Sequence, residues 1–142
     1  MNDTIPRPTS KLPGIQLLDL EIHRDARGAT IELWRSDMQE RFVPAMMYYS
    51  FTLPNQQRGP HSHMEQTDCF AFIGPGDFEV HLWEEEAEFP LETHEVFILG
   101  ASRPAVLIIP PGIVHGYRNI SPYIGVVVNM PNKLYRGEGK VG

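Results

Sequence analysis

The sequence predicts an all-β single domain, a sandwich or barrel built from eight or more short strands. Three observations carry that expectation. Apolar runs of five to eight residues, rich in β-branched and aromatic side chains, recur along the chain and are bounded by Gly, Pro, Asn or Asp. The 13 prolines and 12 glycines fall between these runs, where turns are needed. No apolar period of 3.6 residues persists for the three or four turns of an ordinary helix.

In chain order, residues 1–13 are polar and proline-rich and read as a flexible arm, leaving 14–142 as the folded domain. Strands are expected near Ile15–Ile22, Thr30–Trp34, Met46–Leu53, Thr67–Ile73, Phe78–Trp83, His94–Leu99, Ala105–Ile109 and Ile124–Met130. One short helix is expected at Ser36–Arg41, with Ser36 as its N-cap. The acidic run Glu84–Glu88 reads as a solvated hairpin cap, because adjacent carboxylates on a loop are not preorganised for a metal.

The net charge of −6 argues against nucleic acid or an anionic membrane surface as a partner, since both select basic proteins. It leaves room for a small anionic ligand held by a few arginines. The single cysteine, Cys69, has no internal disulfide partner, and its apolar context predicts a packed, unreactive thiol. No stretch approaches the roughly 20 apolar residues of a membrane span. The first fourteen residues lack the apolar core of a secretory signal, so a cytoplasmic protein is expected.

Two segments carry the chemistry. In the run from Arg58 to Asp68, His61 and His63 share a face if the chain is extended, because strand side chains alternate with period 2. Two imidazoles on one wall can ligate a metal or act as an acid–base pair. In the run from Pro110 to Asn119, a Pro-Gly turn precedes His115. His81 alternates with the apolar residues of its strand and reads as a pocket-wall or interface residue, whereas His23 and His94 read as solvated strand ends.

The spacing H-x-H-x4-D at His61, His63 and Asp68, followed by P-x-G-x2-H-x3-N ending at His115 and Asn119, resembles the two signature motifs of cupins. The resemblance implies a double-stranded β-helix, the jelly-roll barrel, with the histidines converging inside. Within the cupins the chain resembles the dTDP-4-dehydrorhamnose 3,5-epimerase family. The likeness rests on Asp25-Ala26-Arg27-Gly28 with Glu32 and Arg35, on Arg58-Gly59-Pro60-His61, and on Ile109-Pro110-Pro111-Gly112-Ile113-Val114-His115-Gly116-Tyr117. It implies a nucleotide-sugar substrate, no required cofactor, and His61 as the base that removes the proton α to a C4 ketone, with His115 beside it. It also implies that Arg27, Arg35 and Arg58 hold the diphosphate, that Glu32 meets the nucleobase, and that Gln66 and His63 line the sugar site.

The chain departs from that family at several positions. Asp68 stands where the family has a lysine, no acid occurs near Ser121-Pro122-Tyr123, and valines replace the tyrosine of the following strand. Three readings therefore stay open: a metal-independent epimerase or isomerase of a nucleotide-linked keto sugar; a metal-dependent cupin; and a sugar-binding module without turnover. In the second, His61, His63, Asp68 and His115 would hold a divalent ion such as Zn, Fe, Mn or Ni. A homodimer is expected on all three, because barrels of this kind leave edge strands to be covered.

Overall fold

The computed structural model describes residues 9–37 and 42–134. These form eleven strands: β1 (Gln16–Asp19), β2 (Ile22–Asp25), β3 (Gly28–Ile31), β4 (Tyr48–Thr52), β5 (Gln57–His61), β6 (Asp68–Phe72), β7 (Asp77–Glu84), β8 (Glu95–Gly100), β9 (Ala105–Ile109), β10 (Ile113–Asn119) and β11 (Gly125–Asn129). A 3-10 turn at Pro90–Thr93 lies between β7 and β8, and the described residues contain no α-helix. All strand pairs are antiparallel. A five-stranded sheet runs β1-β9-β6-β11-β4, a four-stranded sheet runs β5-β10-β7-β8, and β2 with β3 forms a separate hairpin.

The two sheets face each other across a core that follows from strand alternation. On β7, Phe78, Val80 and Leu82 are buried, while Glu79, His81 and Trp83 point to the outer face. The inward set packs with Phe70 and Phe72 of β6 and with Leu99, Leu107 and Tyr117. Strands β6 and β9 are buried at every residue, which is why their sequences, Asp-Cys-Phe-Ala-Phe and Ala-Val-Leu-Ile-Ile, do not alternate. Their second face is covered by Leu33, Trp34 and Phe42, which pack on Cys69, Ala71, Val106 and Ile108. Cys69 is fully buried, and burial, with the nearby Asp68 charge, pushes its thiol up to about 12, so it is unreactive as its context predicts.

Several boundaries differ from the sequence reading. The run Ile15–Ile22 divides, because β1 pairs with β9 whereas Ile22 opens the β2–β3 hairpin. Strand alternation does not mark that hairpin, because Ile-His-Arg-Asp is polar; an Asp25 carboxylate accepting the Arg27 amide at 2.8 Å closes its turn. The two motif-bearing segments contribute strands of their own, β5 and β10, which pair with each other. Of the expected helix, Ser36 and Asp37 form a turn, and residues 38–41 lie outside the described residues. Leu12, near the end of the polar arm, is buried in the core, and the Ser10 hydroxyl donates to Glu95 at 2.6 Å.

Candidate active site

The site begins with an irregularity in β5. Its register against β10 pairs His61 with His115 and Arg58 with Tyr117, so three steps on β5 match two on β10. Arg58 and His61 would otherwise point to opposite faces; the extra residue in this bulge puts both on the side of His115 and Tyr117. Glycine makes the bulge possible. Gly59 has φ +84°, and a Cβ there would sit 2.8 Å from the His115 carbonyl oxygen. The Arg-Gly-Pro-His motif is thus a geometric device for aiming two side chains at one cavity.

That cavity, about 680 Å3, lies at one end of the barrel between the two sheets. Arg58, His61, His63, Gln66 and Asp68 line it, together with Tyr48 and Ser50 of β4, Gln57, Phe70, Tyr117 and Asn129. His115 lies just behind, buried, with its ring 4.9 Å from that of His61 and 5.7 Å from that of His63. Arg58 spans the sheets, donating to Thr52 Oγ1 at 3.0 Å and to the Phe51 carbonyl at 2.7 Å.

Asp68 organises the histidines. It is buried, and its Oδ2 accepts from His115 Nε2 at 2.9 Å and from His63 Nε2 at 3.1 Å. Its Oδ1 accepts from Gln66 at 2.7 Å and from Asn129 at 3.2 Å. Burial alone would raise its pKa, but the hydrogen bonds from His115, Gln66 and Asn129 outweigh burial and hold the carboxyl down to about 2. His115 Nδ1 faces the Ile113 carbonyl at 3.0 Å. Both ring nitrogens of His115 are thus engaged within the protein.

His61 contrasts with its neighbours. It sits at the exposed mouth of the cavity, and its pKa is lowered by partial burial first and then by the charges of His115 and His63, with Asp68 opposing. A neutral imidazole facing a cavity is what a general base requires.

The histidines also offer the donor types that a metal takes. Ring nitrogens of His61, His63 and His115 lie within 4.8 Å of one another. Yet His115 has both nitrogens committed to acceptors, and His63 directs Nε2 at the same carboxylate oxygen. An ion held by the three rings would therefore have to take the place of the Asp68 hydrogen bonds.

The expected substrate ligands divide into two groups. Arg58, His61, His63, Gln66 and Asp68 come together, with His115 behind them. Arg27 lies at the tip of the β2–β3 hairpin, paired with Asp25 at 2.8 Å, while Arg35 bonds Asp37 and Glu32; within one chain none of Arg27, Glu32 and Arg35 lines the cavity. Sequence reasoning missed Tyr48, Ser50 and Asn129. For Asn129 a signal existed: it ends the apolar run Gly-Val-Val-Val-Asn on the inward phase, where a polar side chain demands partners.

Residues 13–138 match the protein family described as FdtA: WxcM-like, C-terminal. The probable low-salt glycan biosynthesis epimerase Agl13 of Haloferax volcanii is 32% identical over 124 residues, covering 85% of this chain and 79% of that protein. Among solved structures, a dTDP sugar isomerase from Desulfovibrio desulfuricans superimposes with a TM-score of 0.76 at 23% identity, covering 89% of this chain and 81% of the other. The WlaRB TDP-quinovose 3,4-ketoisomerase of Campylobacter jejuni gives a TM-score of 0.70 at 25% identity, with 87% and 88% covered.

Proposed function

Because the chain belongs to the FdtA, WxcM-like C-terminal family of cupins, we propose that it isomerises a 4-keto sugar carried on a nucleoside diphosphate, with His61 as general base. It is an enzyme of the sugar-nucleotide epimerase and isomerase type. The observation that carries the finer reading is the neutral-leaning His61 ring, aimed by the β5 bulge into a polar cavity of about 680 Å3.

The chemistry needs few parts. His61 takes the proton from C3, next to the C4 carbonyl; the C–H electron pair forms the C3–C4 double bond, and the carbonyl oxygen gains a proton to give an enediol. Loss of the C3 hydroxyl proton with delivery of a proton to C4 moves the ketone to C3. Delivery to C3 from the other face gives the epimer instead. Ketoisomerisation can proceed on one face of the ring, and His61 and His63 stand on one wall with centroids 5.6 Å apart. Double epimerisation needs a donor on the opposite face, where this chain has valines in place of the epimerase tyrosine. The departures therefore favour the 3,4-ketoisomerase outcome. Asp68, fixing His63 and His115, supplies negative charge in the place of the epimerase lysine.

The same reading takes the active form as a homodimer. Among the described residues strand β4 is one edge of the large sheet, and Tyr49 and Phe51 on it and Leu53 just after it are 57–60% exposed. On this reading the second copy supplies Arg27 from its β2–β3 hairpin to the diphosphate, and Glu32 just after that hairpin to the nucleobase.

The test is proton NMR of a dTDP-linked 4-keto-6-deoxyhexose incubated with the protein in deuterium oxide. A 3-keto product carrying deuterium at C4 supports the reading. Deuterium at C3 or C5 with inverted configuration would move the assignment to epimerisation. No exchange with a sugar that raises the melting temperature would make it a binding module.

A further inference from the structure

The outer face of the four-stranded sheet carries ionisable side chains that the cavity chemistry leaves unused. Glu79, His81 and Trp83 project from β7, Arg118 projects from β10, and His94 precedes β8. Beside them Gly116 and Gly59 have no side chains, and a groove of about 330 Å3 runs along this face.

The groups form a directed chain of hydrogen bonds. His81 Nε2 lies 2.9 Å from Glu79 Oε1, and Arg118 donates to the same oxygen at 3.4 Å. A carboxylate only accepts, so His81 carries its proton on Nε2 and presents the Nδ1 lone pair. That lone pair meets His94 Nε2 at 2.8 Å. Trp83 lies edge-on to the His94 ring, with centroids 5.4 Å apart.

We propose that His81 Nδ1 and His94 Nε2 form a two-imidazole site for copper(II) or nickel(II), with Glu79 as the carboxylate that orients His81. Metal–imidazole bonds are about 2.0–2.1 Å long, so nitrogens 2.8 Å apart subtend roughly 86° at a shared ion. That is close to the right angle between neighbouring positions of a tetragonal ion, the geometry of copper(II) and nickel(II). A tetrahedral zinc angle would need the nitrogens about 3.3 Å apart. Loading requires one proton to move, from His94 Nε2 to Nδ1 of the same ring, and His94 is exposed to the water that carries it. The carboxylate–histidine pair is the outer-shell device that fixes a ligand's tautomer and raises its basicity. Glu79 is spent on His81 and Arg118, so water completes the coordination.

The experiment uses the full chain carrying His61→Ala and His63→Ala, which removes the barrel histidines as competitors. Copper(II) is titrated in and followed by electron paramagnetic resonance, with nickel(II) followed by calorimetry. One ion per chain with two-nitrogen coupling is expected. Adding His94→Ala should leave one-nitrogen coupling and weaken binding at least tenfold, and Glu79→Gln should weaken it by about tenfold. His94→Ala in the otherwise native protein should keep its melting temperature and its reaction rate, so that lost binding is not lost folding. An unchanged copper signal in His94→Ala, or no uptake of either ion in excess by folded protein, overturns the site.

Discussion

Asp68 and His115 form a buried pair in which the Asp68 Oδ2 to His115 Nε2 distance is 2.9 Å and neither side chain is more than 3% exposed. The pair joins β6 of one sheet to β10 of the other, so it ties the barrel together beside the candidate cavity. Replacing Asp68 by Asn leaves His115 without its anion, and breaking a buried pair on one side costs about 3–5 kcal/mol. Asp68→Asn should therefore lower the urea midpoint markedly at pH 7, and an unchanged midpoint would show that the pair contributes nothing.

The pH dependence of that stabilisation follows from its sign. The folded carboxyl is depressed from 3.8 to about 2, so its contribution is complete above pH 4–5 and disappears as pH falls toward 2. The shift is worth on the order of 2 kcal/mol. The melting-temperature gap between the native protein and Asp68→Asn should narrow over that window. A gap that stays constant from pH 5 to pH 2 would mean that Asp68 titrates normally.

His61 gives the complementary prediction for activity. Burial and the neighbouring imidazoles keep its proton off, so the acid limb of kcat/KM should lie below the ordinary histidine value of about 6.5. His61→Asn should reduce kcat by about 10²–10⁴-fold while nucleotide binding is retained. Full exchange activity in that variant would remove His61 as the base.

Much of this site was legible in the sequence because its residues cluster in two short motifs. The period-2 strands and the packed Cys69 followed from local pattern, and the convergence of His61, His63 and His115 followed from the resemblance to the cupin motifs. The role of Asp68 did not: spacing placed it near the histidines, but only the pairing of β6 with β11 brings Asn129 to one of its oxygens, and only the facing of the two sheets brings His115 to the other. The face of Arg58 was likewise hidden, because a bulge reverses the alternation rule on which such a reading depends.

That bulge can be tested directly. Gly59→Ala puts a Cβ against the His115 carbonyl at a positive φ, a strain of about 1–3 kcal/mol. The protein should fold with a lowered melting temperature and lose activity out of proportion, because His61 is displaced. Activity equal to the native protein at a temperature where both are folded would show that the bulge does not aim the base.

The reaction should also be independent of a resident ion. Protein stripped by a chelator and checked by elemental mass spectrometry should convert substrate at the native rate, since the proposed chemistry uses His61 as a base and leaves His115 and His63 on Asp68. Loss of activity on stripping, restored by one divalent ion and abolished in His63→Ala, would establish the metal-dependent cupin instead.

Arg27 offers a test of assembly. Its side chain is 90% exposed at the hairpin tip and apart from the cavity of its own chain, so a role at the diphosphate requires a second protomer. Light scattering should give a dimer, and Arg27→Glu and His61→Ala should each be nearly inactive alone. Refolded together in equal amounts, half the dimers carry one of each chain, and each such dimer contains one site with native Arg27 and native His61. About one quarter of native activity should then return, as two-fold symmetry dictates. If Arg27 serves its own chain, no mixed dimer contains an intact site and nothing returns. If Arg27 plays no part, Arg27→Glu is active from the start. The three outcomes are distinct in amplitude, so one mixing experiment decides both the oligomeric state of the active form and the origin of its phosphate ligand.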